Sequence, residues 1–226
     1  ISKQKKSGEE YWNFVKITPV KGEDGEIIKY ISVNEDITKR KYKDETIKTL
    51  AFYDPLTMLA NRRLLMEKIK GAMALVNRIG GQFAVFYIDI DEFKTINDTM
   101  GHKISDEILK VISDRLLSTV REVDTVSRLG GDEFAILFEC IGLVSNLEVI
   151  SQKILNIIRE PINIDSKVFY VSCSIGGSTF PTDSDKIEQL LSYADMAMYH
   201  AKNKGKNNLQ FFNESLNVDS ARRMKI

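Results

Sequence analysis

Two runs rich in β-branched and aromatic residues begin the chain, at residues 11–20 and 27–38. Between them, residues 21–26 (KGEDGE) combine two glycines with acidic residues, a composition that favours a tight turn. The pattern predicts a β-hairpin, and because a lone hairpin is marginal in water we expect partner strands upstream. Residues 39–51 are charged, contain neither Gly nor Pro and predict a helical connector.

Beyond residue 54, helical and extended patterns alternate. Apolar residues at helical spacing predict helices over residues 61–78, 104–120, 145–159 and 186–204. Apolar or alternating runs predict strands over residues 83–90, 125–129, 132–138, 168–175 and 208–212. The first strand should be central and buried, and Gly130-Gly131 is the strongest hairpin signal in the chain. Hairpins disfavour a purely parallel sheet, so the predicted fold class is α+β, with helices packed on an antiparallel or mixed sheet.

Composition narrows the class of protein. The chain has 226 residues, 43% of them hydrophobic and 28% charged, as in soluble globular proteins of one domain plus a smaller module. Its longest apolar runs, such as Phe83–Ile88, are far shorter than the roughly 20 residues of a membrane span. Lys and Arg total 32, as do Asp and Glu, and this zero net charge makes a nucleic-acid polymer a poor partner. The chain begins at Ile1 without a signal segment, so we expect a piece of a longer cytoplasmic protein.

The two cysteines, Cys140 and Cys173, lie in apolar, strand-like surroundings and form no CxxC motif. With only two histidines present, this pattern argues against a disulfide scaffold or a structural zinc site. We expect both cysteines to act as small buried hydrophobes in a reducing cytoplasm.

Three acidic residues stand where predicted strands reach solvent. Asp89 lies at the end of the buried strand, and Asp132 and Glu133 follow the Gly-Gly turn. Carboxylates grouped in this way are either solvated turn residues or the oxygen ligands of a hard divalent cation, which brings substrate phosphates with it.

Three lysines, Lys202, Lys204 and Lys206, lie at the end of the last predicted helix. Such lysines usually complement the helix dipole, but they are equally suited to hold a triphosphate. The residues alone leave both alternatives open.

Four ordered blocks carry a specific resemblance. Residues 128–134 (RLGGDEF) resemble the signature loop of the GGDEF-domain diguanylate cyclases. Residues 54–63, 88–109 and 192–207 are similar to the opening motif, the metal and guanine block and the last helix of that family. The resemblance covers about residues 52–213.

The resemblance implies a ferredoxin-like core, shared with nucleotidyl cyclases, and the synthesis of cyclic di-GMP from two GTP with release of two pyrophosphates. It implies two Mg²⁺ or Mn²⁺ ions per active site and one GTP per chain, so that catalysis needs a homodimer. By the same resemblance the metal ligands are Asp89, the Ile90 carbonyl, Asp132 and Glu133. Glu133 would assist the second metal or accept the 3′-hydroxyl proton, and Lys94 is implied as a further catalytic residue.

The substrate-binding residues implied by the resemblance are Phe93, Lys94, Asn97, His102, Asp106, Arg128, Gly130, Gly131, Lys202 and Lys206. Asn97 and Asp106 would read the guanine edge, since an amide offers both donor and acceptor and a carboxylate accepts N–H donors. His102 would lie near the base or ribose. Lys94, Lys202 and Lys206, with backbone N–H groups around Phe93, would hold the triphosphate.

The segment Arg121-Glu122-Val123-Asp124 resembles the family's inhibitory RxxD site, with Arg121 nine residues and Asp124 six residues before Gly130. This resemblance implies that cyclic di-GMP binds there as an inhibitor. The alternative is a surface ion pair, because RxxD is common by chance.

Three residues depart from the family pattern. Met58 stands where Gly is usual, and we expect it to change packing only. Ser105 stands where Gly usually precedes Asp106, which could alter the aim of that carboxylate. Lys206 replaces the more usual Arg, which keeps the charge but loses the planar fork and predicts a weaker grip on phosphate.

The domain hypothesis assigns residues 1–38 to the end of a PAS sensory domain, which residues 11–41 resemble, and 39–52 to a signalling helix or plain linker. Residues 53–213 form the GGDEF domain and 214–226 a C-terminal linker, similar to one that leads to an EAL phosphodiesterase domain. An alternative function is a catalytically weak domain that binds cyclic di-GMP or GTP as a regulatory module.

Overall fold

The computed structural model describes residues 2–4, 10–139 and 144–214 and divides into two compact units, residues 1–51 and 52–226. The first unit contains strands β1 (Ser2–Gln4), β2 (Glu10–Lys21) and β3 (Ile27–Asp36), followed by helix α1 (Thr38–Phe52). The strands form an antiparallel sheet in the order β1-β2-β3. The predicted hairpin and helical connector are confirmed, and β1 was not predicted. The assignment of this unit to a PAS domain stays a prediction.

Among the residues that the structure describes, the second unit contains seven strands and the helices that pack on them. Its elements are α2 (Arg62–Ile79), β4 (Phe83–Ile90), α3 (Phe93–Met100), α4 (His102–Thr119), β5 (Thr125–Gly130), β6 (Glu133–Phe138), α5 (Val144–Arg159), β7 (Ile162–Ile164), β8 (Lys167–Phe169), β9 (Cys173–Phe180), α6 (Ile187–Asn203) and β10 (Leu209–Phe211). Strands β7 and β8 form a separate two-stranded hairpin, and the other five strands form one sheet in the order β10-β9-β4-β6-β5. Only β10 and β9 run parallel, so the predicted mixed sheet with a central β4 is confirmed.

Strand β4 explains how the two helical layers form. All eight of its residues are buried, and successive side chains point to opposite faces of the sheet. On one face, Phe86 and Ile88 pack in a hydrophobic cluster with residues of α4 and α5. Val85 and Tyr87 pack in a second cluster with α2 and α6. Asp89 continues the second series, so its side chain belongs to the α2 and α6 face.

Helix α6 lies unusually close to β9 because of one glycine. A Cβ atom on Gly176 would come within 2.0 Å of the Met198 backbone nitrogen and 2.1 Å of the Ala194 carbonyl oxygen. The small residues Ala194, Ala197 and Ala201 are fully buried along α6. This close approach carries the last turn of α6 over the end of β4.

Two sequence-based expectations need correction. The predicted strand over 168–175 is wrong: β8 ends at Phe169, residues 170–172 are irregular and β9 runs on to Phe180. The apolar pattern of the sequence gives no sign of this break. It coincides with a contact to a residue far away in the sequence, because the Asp91 N–H donates to the Ser172 carbonyl at 2.9 Å. Helix α3 was also not predicted.

Of the two cysteines, Cys140 lies outside the described residues. Cys173 is buried in β9, as expected. Burial in an apolar environment raises the pKa of its thiol far above the usual value, with smaller contributions from two nearby aspartates. The thiol is therefore protonated and unreactive at neutral pH.

Candidate functional site

The candidate site is built at the ends of the two central strands. Asp89 is the direct cross-strand partner of Glu133, and side chains in such pairs lie on the same face with Cβ atoms about 5 Å apart. The Ile90 N–H donates to the Asp132 carbonyl at 3.3 Å, which places the Asp132 backbone beside the same strand end. Asp89 is 7% exposed, and the other two acids are half-buried. The structure thus brings the three predicted acids together.

The turn that carries these acids depends on Gly130 and Gly131, whose φ angles are 147° and 53°. Only glycine adopts these angles without a steric penalty. Arg128 fixes the turn from below: its Nε and Nη2 donate to the Gly131 carbonyl at 3.0 and 2.7 Å. Its Nη1 donates to both carboxylate oxygens of Asp54, at 3.0 and 3.2 Å.

These contacts give Arg128 a structural role that was not predicted. All three guanidinium nitrogens bind protein groups, and the side chain is only 11% exposed. Arg128 therefore positions the turn, and its predicted contact with substrate stays a prediction. Burial alone would raise the pKa of Asp54, but hydrogen bonds from Thr57 and the Arg128 guanidinium outweigh it and leave that pKa lowered.

Lys202 connects α6 to the acidic group. Its Nζ lies 2.7 Å from Asp89 Oδ1, and both side chains are largely buried. Burial raises the pKa of Asp89, the Lys202 hydrogen bond opposes that rise, and the negative charge of Asp132 adds to it. Burial and the neighbouring acids thus destabilise the charged form of Asp89, and the Lys202 ammonium group offsets only part of this effect.

A metal-binding geometry is not preformed in the described chain. Across residues 2–4, 10–139 and 144–214, no group of three or more His, Cys, Asp or Glu side chains is arranged to hold a metal ion. The donor types nevertheless suit a hard cation, because carboxylate and carbonyl oxygens are the ligands that Mg²⁺ prefers.

The loop after β4 carries the predicted phosphate contacts. Glu92 has φ 57° and precedes α3, whose first residues are the buried Phe93 and the exposed Lys94. Lys206 forms an ion pair with Glu92 from the loop that follows α6. Lys204, in contrast, donates to the side chain of Gln210 at 2.9 Å.

The predicted guanine-reading residues lie on α3 and α4. Asn97 Oδ1 is buried, and no hydrogen-bond partner for it occurs among the described residues. An acceptor in this state is available to an N–H donor of a ligand. Asp106 is half-buried and His102 exposed in the first turns of α4. Ser105 does not break this helix, since its buried hydroxyl donates to the Gly101 carbonyl at 3.2 Å.

The RxxD residues lie away from this group. Asp124 directly precedes β5, whose far end is Gly130, so the strand separates the two regions by about 20 Å. Arg121 and Asp124 bind each other, with Nη2–Oδ1 at 2.8 Å and Nε–Oδ2 at 3.1 Å. The Asp124 side chain is fully buried and also accepts from the Glu139 N–H, whereas Arg121 is 55% exposed.

The expectation that Met58 changes packing only is wrong. Its side chain is 58% exposed, whereas its backbone has φ 58°, the left-handed region that glycine tolerates best. Met58 sits in the turn that presents Asp54, where the Met58 N–H donates to the Asp54 carbonyl at 2.8 Å. A glycine at this position would therefore suit the left-handed backbone conformation better than methionine does.

Several residues beside the site are not predicted by local sequence patterns. A cavity of about 560 Å³ on the α2 and α6 face is lined by Arg62, Tyr87, Glu133 and Asp195, among others. Burial raises the pKa of Asp195, an effect that nearby Lys202 and Arg62 oppose. These residues come from three separate segments, so only the folded chain brings them beside Glu133.

Comparison with known proteins decides the family. The family profile described as "Diguanylate cyclase, GGDEF domain" matches residues 51–208, more than half of the chain. The chain belongs to the GGDEF family. The resemblance and the α+β fold predicted from the sequence are both confirmed.

Relatives and solved structures agree with this membership. The GGDEF chain is 36% identical over 177 residues to the bifunctional diguanylate cyclase/cyclic di-GMP phosphodiesterase MucR of Pseudomonas aeruginosa, covering 78% of this chain and 26% of MucR. The GGDEF domain of TpbB from the same organism matches with a TM-score of 0.73 at 34% identity, over 75% of this chain and 99% of that one. The GGDEF domain of DgcB from Caulobacter crescentus, solved in complex with cyclic di-GMP, matches with a TM-score of 0.66 at 26% identity, over 71% and 93%.

The GGDEF chain spans about a quarter of the length of the curated relatives that it matches first. Within the described part of the chain, no helix is both long and apolar enough to cross a bilayer.

Proposed function

We propose that this chain is a diguanylate cyclase, which joins two GTP molecules into cyclic di-GMP and releases two pyrophosphates. The observation that carries the proposal is the meeting of Asp89, Asp132 and Glu133 at one strand end, beside the Lys202 ammonium. Acidic oxygens next to a cationic group suit a metal-bound triphosphate. Membership of the GGDEF family points to this reaction among those that use such a site.

Two Mg²⁺ or Mn²⁺ ions would bind the carboxylates of Asp89, Asp132 and Glu133 and the Ile90 carbonyl. The raised pKa of Asp89 supports this fit, because burial and neighbouring acids disfavour its charge in the absence of a compensating cation. The ions would activate the attacking 3′-oxygen and neutralise the leaving pyrophosphate. Glu133 lies opposite Asp89 and would accept the proton of the 3′-hydroxyl.

Lys202 and Lys206 would hold the triphosphate by exchanging partners. Each now pairs with a carboxylate, Lys202 with Asp89 and Lys206 with Glu92. On binding, a phosphate oxygen would replace the carboxylate at each ammonium group. Lys94 and the backbone N–H groups near Phe93 would contact the same phosphates from the first turn of α3, where the helix dipole favours negative charge.

Asn97 and Asp106 would read the guanine edge, and His102 would lie near the base or ribose. The buried, unpartnered Oδ1 of Asn97 supports this role, because a guanine N–H would satisfy it. Ser105 leaves α4 regular, so Asp106 keeps a defined helical position in spite of the departure from Gly.

Catalysis would need two copies of the chain. One site holds one GTP, and two phosphodiester bonds must form between two GTP molecules. Two chains facing each other, each presenting its bound GTP to the other, satisfy this requirement with one symmetric arrangement.

The test is product formation with a matched pair of variants. The protein, freed of carried-over cyclic di-GMP, is incubated at high concentration with GTP and Mg²⁺, and the products are identified by mass. We expect cyclic di-GMP from the natural protein and from Asp114→Asn, an exposed carboxylate on α4, and none from Asp132→Ala. Product formation that survives Asp132→Ala would overturn the metal assignment, and no product from any protein would favour a regulatory binding module.

We also propose feedback inhibition by cyclic di-GMP at Arg121. The exposed guanidinium suits a phosphate, whereas the fully buried Asp124 already binds four protein donors and would have to leave Arg121 to read guanine. Calorimetry with cyclic di-GMP should give binding that Arg121→Ala abolishes. Unchanged binding in that variant would leave the RxxD residues as a structural ion pair.

A further inference from the structure

Asp91 is a buried acid beside the proposed site that the assigned roles do not use. It lies two residues after Asp89 and is 6% exposed. Its Oδ1 accepts from the Ser174 hydroxyl at 2.7 Å, and its Oδ2 from the Ser172 hydroxyl at 2.6 Å and the Asn207 N–H at 3.1 Å. Both oxygens are therefore committed to protein donors, which separates Asp91 from the metal-binding acids.

The third of these donors belongs to a strained loop. Gly205, Lys206 and Asn207 have φ angles of 103°, 60° and 49°, three consecutive residues in the left-handed region. For the two non-glycine residues this conformation is unfavourable and persists only where surrounding contacts enforce it. Asp91 provides such a contact at the third residue. The Lys206 N–H also donates to the Ala201 carbonyl at 3.2 Å.

This loop carries Lys206, and it follows directly on the helix turn that carries Lys202. A carboxylate buried between β4, β9 and the loop thus joins the strand end with the metal-binding acids to the segment with the phosphate-binding lysines. Asp91 is a buried side-chain contact of the loop, whereas the Lys206–Glu92 ion pair is exposed, and the acceptors of Asp91 therefore contribute to the position of the loop.

We propose that Asp91 is a positioning residue that holds the 205–207 loop in its left-handed conformation, so that Lys206 faces the triphosphate of the nucleotide. The inference rests on the proposed function for the identity of the ligand. The hydrogen bonds to Asp91 keep the loop in place, and the nucleotide then meets a lysine whose location is already fixed.

The test uses Asp91→Asn, which keeps the side-chain volume but turns one acceptor into a donor, so that the three hydrogen bonds cannot all be kept. Affinities for a non-hydrolysable GTP analogue and for GMP are measured by calorimetry, the latter by competition. We expect the variant to lose about tenfold in affinity for the analogue, since a charge-assisted hydrogen bond is broken, with GMP affinity changed less than about twofold. Ser172→Ala should also lower the affinity for the analogue, but by less. It replaces Asp91→Asn in the test if that variant does not fold. Asp114→Asn is the matched control.

Hydrogen exchange gives a second readout that needs no nucleotide. The Asn207 amide should exchange faster in Asp91→Asn than in the natural protein, while amides of the central strand β4 keep their protection. In a double-mutant cycle on analogue binding, Lys206→Met should add little to the loss caused by Asp91→Asn, because both act through the same lysine.

The outcomes separate this inference from the proposed function. Equal losses for the analogue and GMP, or additive losses in the cycle, would overturn the positioning role and leave Asp91 as a general structural residue. If the natural protein binds no GTP analogue, the proposed function fails and the nucleotide part of the inference fails with it. Hydrogen exchange still decides in that case whether Asp91 holds the loop.

Discussion

At the residue scale, Met58 departs from the family pattern at a position where the backbone conformation, and not side-chain packing, determines the energetic cost. The exposed side chain gains little from packing, whereas the left-handed backbone is unfavourable for any residue with a Cβ. We expect Met58→Gly to raise the free energy of unfolding by about 1 kcal/mol, less than the full steric penalty because glycine also gains entropy in the unfolded chain. Urea denaturation measures the change. Met58→Ala is the control and should give no such gain; equal stabilisation by both variants would assign the effect to the side chain.

The ion pair of Arg128 and Asp54 is a second prediction at this scale. Arg128→Ala leaves a largely buried carboxylate unpaired and frees the Gly131 carbonyl, so we expect a loss of about 2 kcal/mol in the free energy of unfolding. Lys110→Ala, which breaks the exposed Lys110–Glu107 pair, should lose less than about 0.5 kcal/mol. Similar losses in the two variants would contradict a special role for Arg128.

The pH dependence of that loss has a defined sign. The folded state lowers the pKa of Asp54 below its usual 3.8, so the pair stabilises the protein above this value and the stabilisation fades as pH falls through the folded pKa. The stability difference between the natural protein and Arg128→Ala should therefore be constant near neutrality and shrink below about pH 3.8. A difference that grows in acid would rule out the ion pair as its cause.

At the scale of elements, the close contact of α6 with β9 predicts opposite effects for two glycines. Gly176→Ala places a methyl group against the backbone of α6, and we expect a loss of about 3 kcal/mol in the free energy of unfolding. A methyl group on Gly71 within α2 meets nothing within 4 Å, and Gly71→Ala should stabilise by about 0.5–1 kcal/mol through helix propensity. Chemical denaturation compares the two, and a neutral Gly176→Ala would mean that α6 can move away from the sheet freely.

At this scale, part of the fold and of the candidate site could be predicted from the sequence. Long amphipathic helices and the buried β4 follow from local periodicity, and the carboxylates of the site could be found because they end strands or follow a Gly-Gly turn. The break at residues 170–172 and the hydrogen bonds of Asp91 and Arg128 could not be predicted. Ser172 lies 81 residues from Asp91 and Arg128 lies 74 residues from Asp54. Such contacts depend on the sheet order, which local patterns leave open.

At the scale of the whole molecule, the proposed reaction makes a quantitative prediction about mixtures. If both chains of a dimer must each provide a working metal site, a dimer with one defective chain cannot close the cyclic product. Natural protein and Asp132→Ala mixed in equal amounts and allowed to exchange subunits would contain about one quarter fully competent dimers. Independent monomers in the same mixture would keep about one half of the activity.

The measurement is the initial rate of cyclic di-GMP formation at fixed total protein concentration, well above the concentration at which the chains associate. A rate near one quarter of that of the natural protein supports paired sites, because each cyclic product contains one bond made at each site. The control mixture with Asp114→Asn should keep the full rate, since both chains of every dimer are then competent. A rate near one half with Asp132→Ala would show that a single chain completes both bonds, which one GTP per chain does not permit.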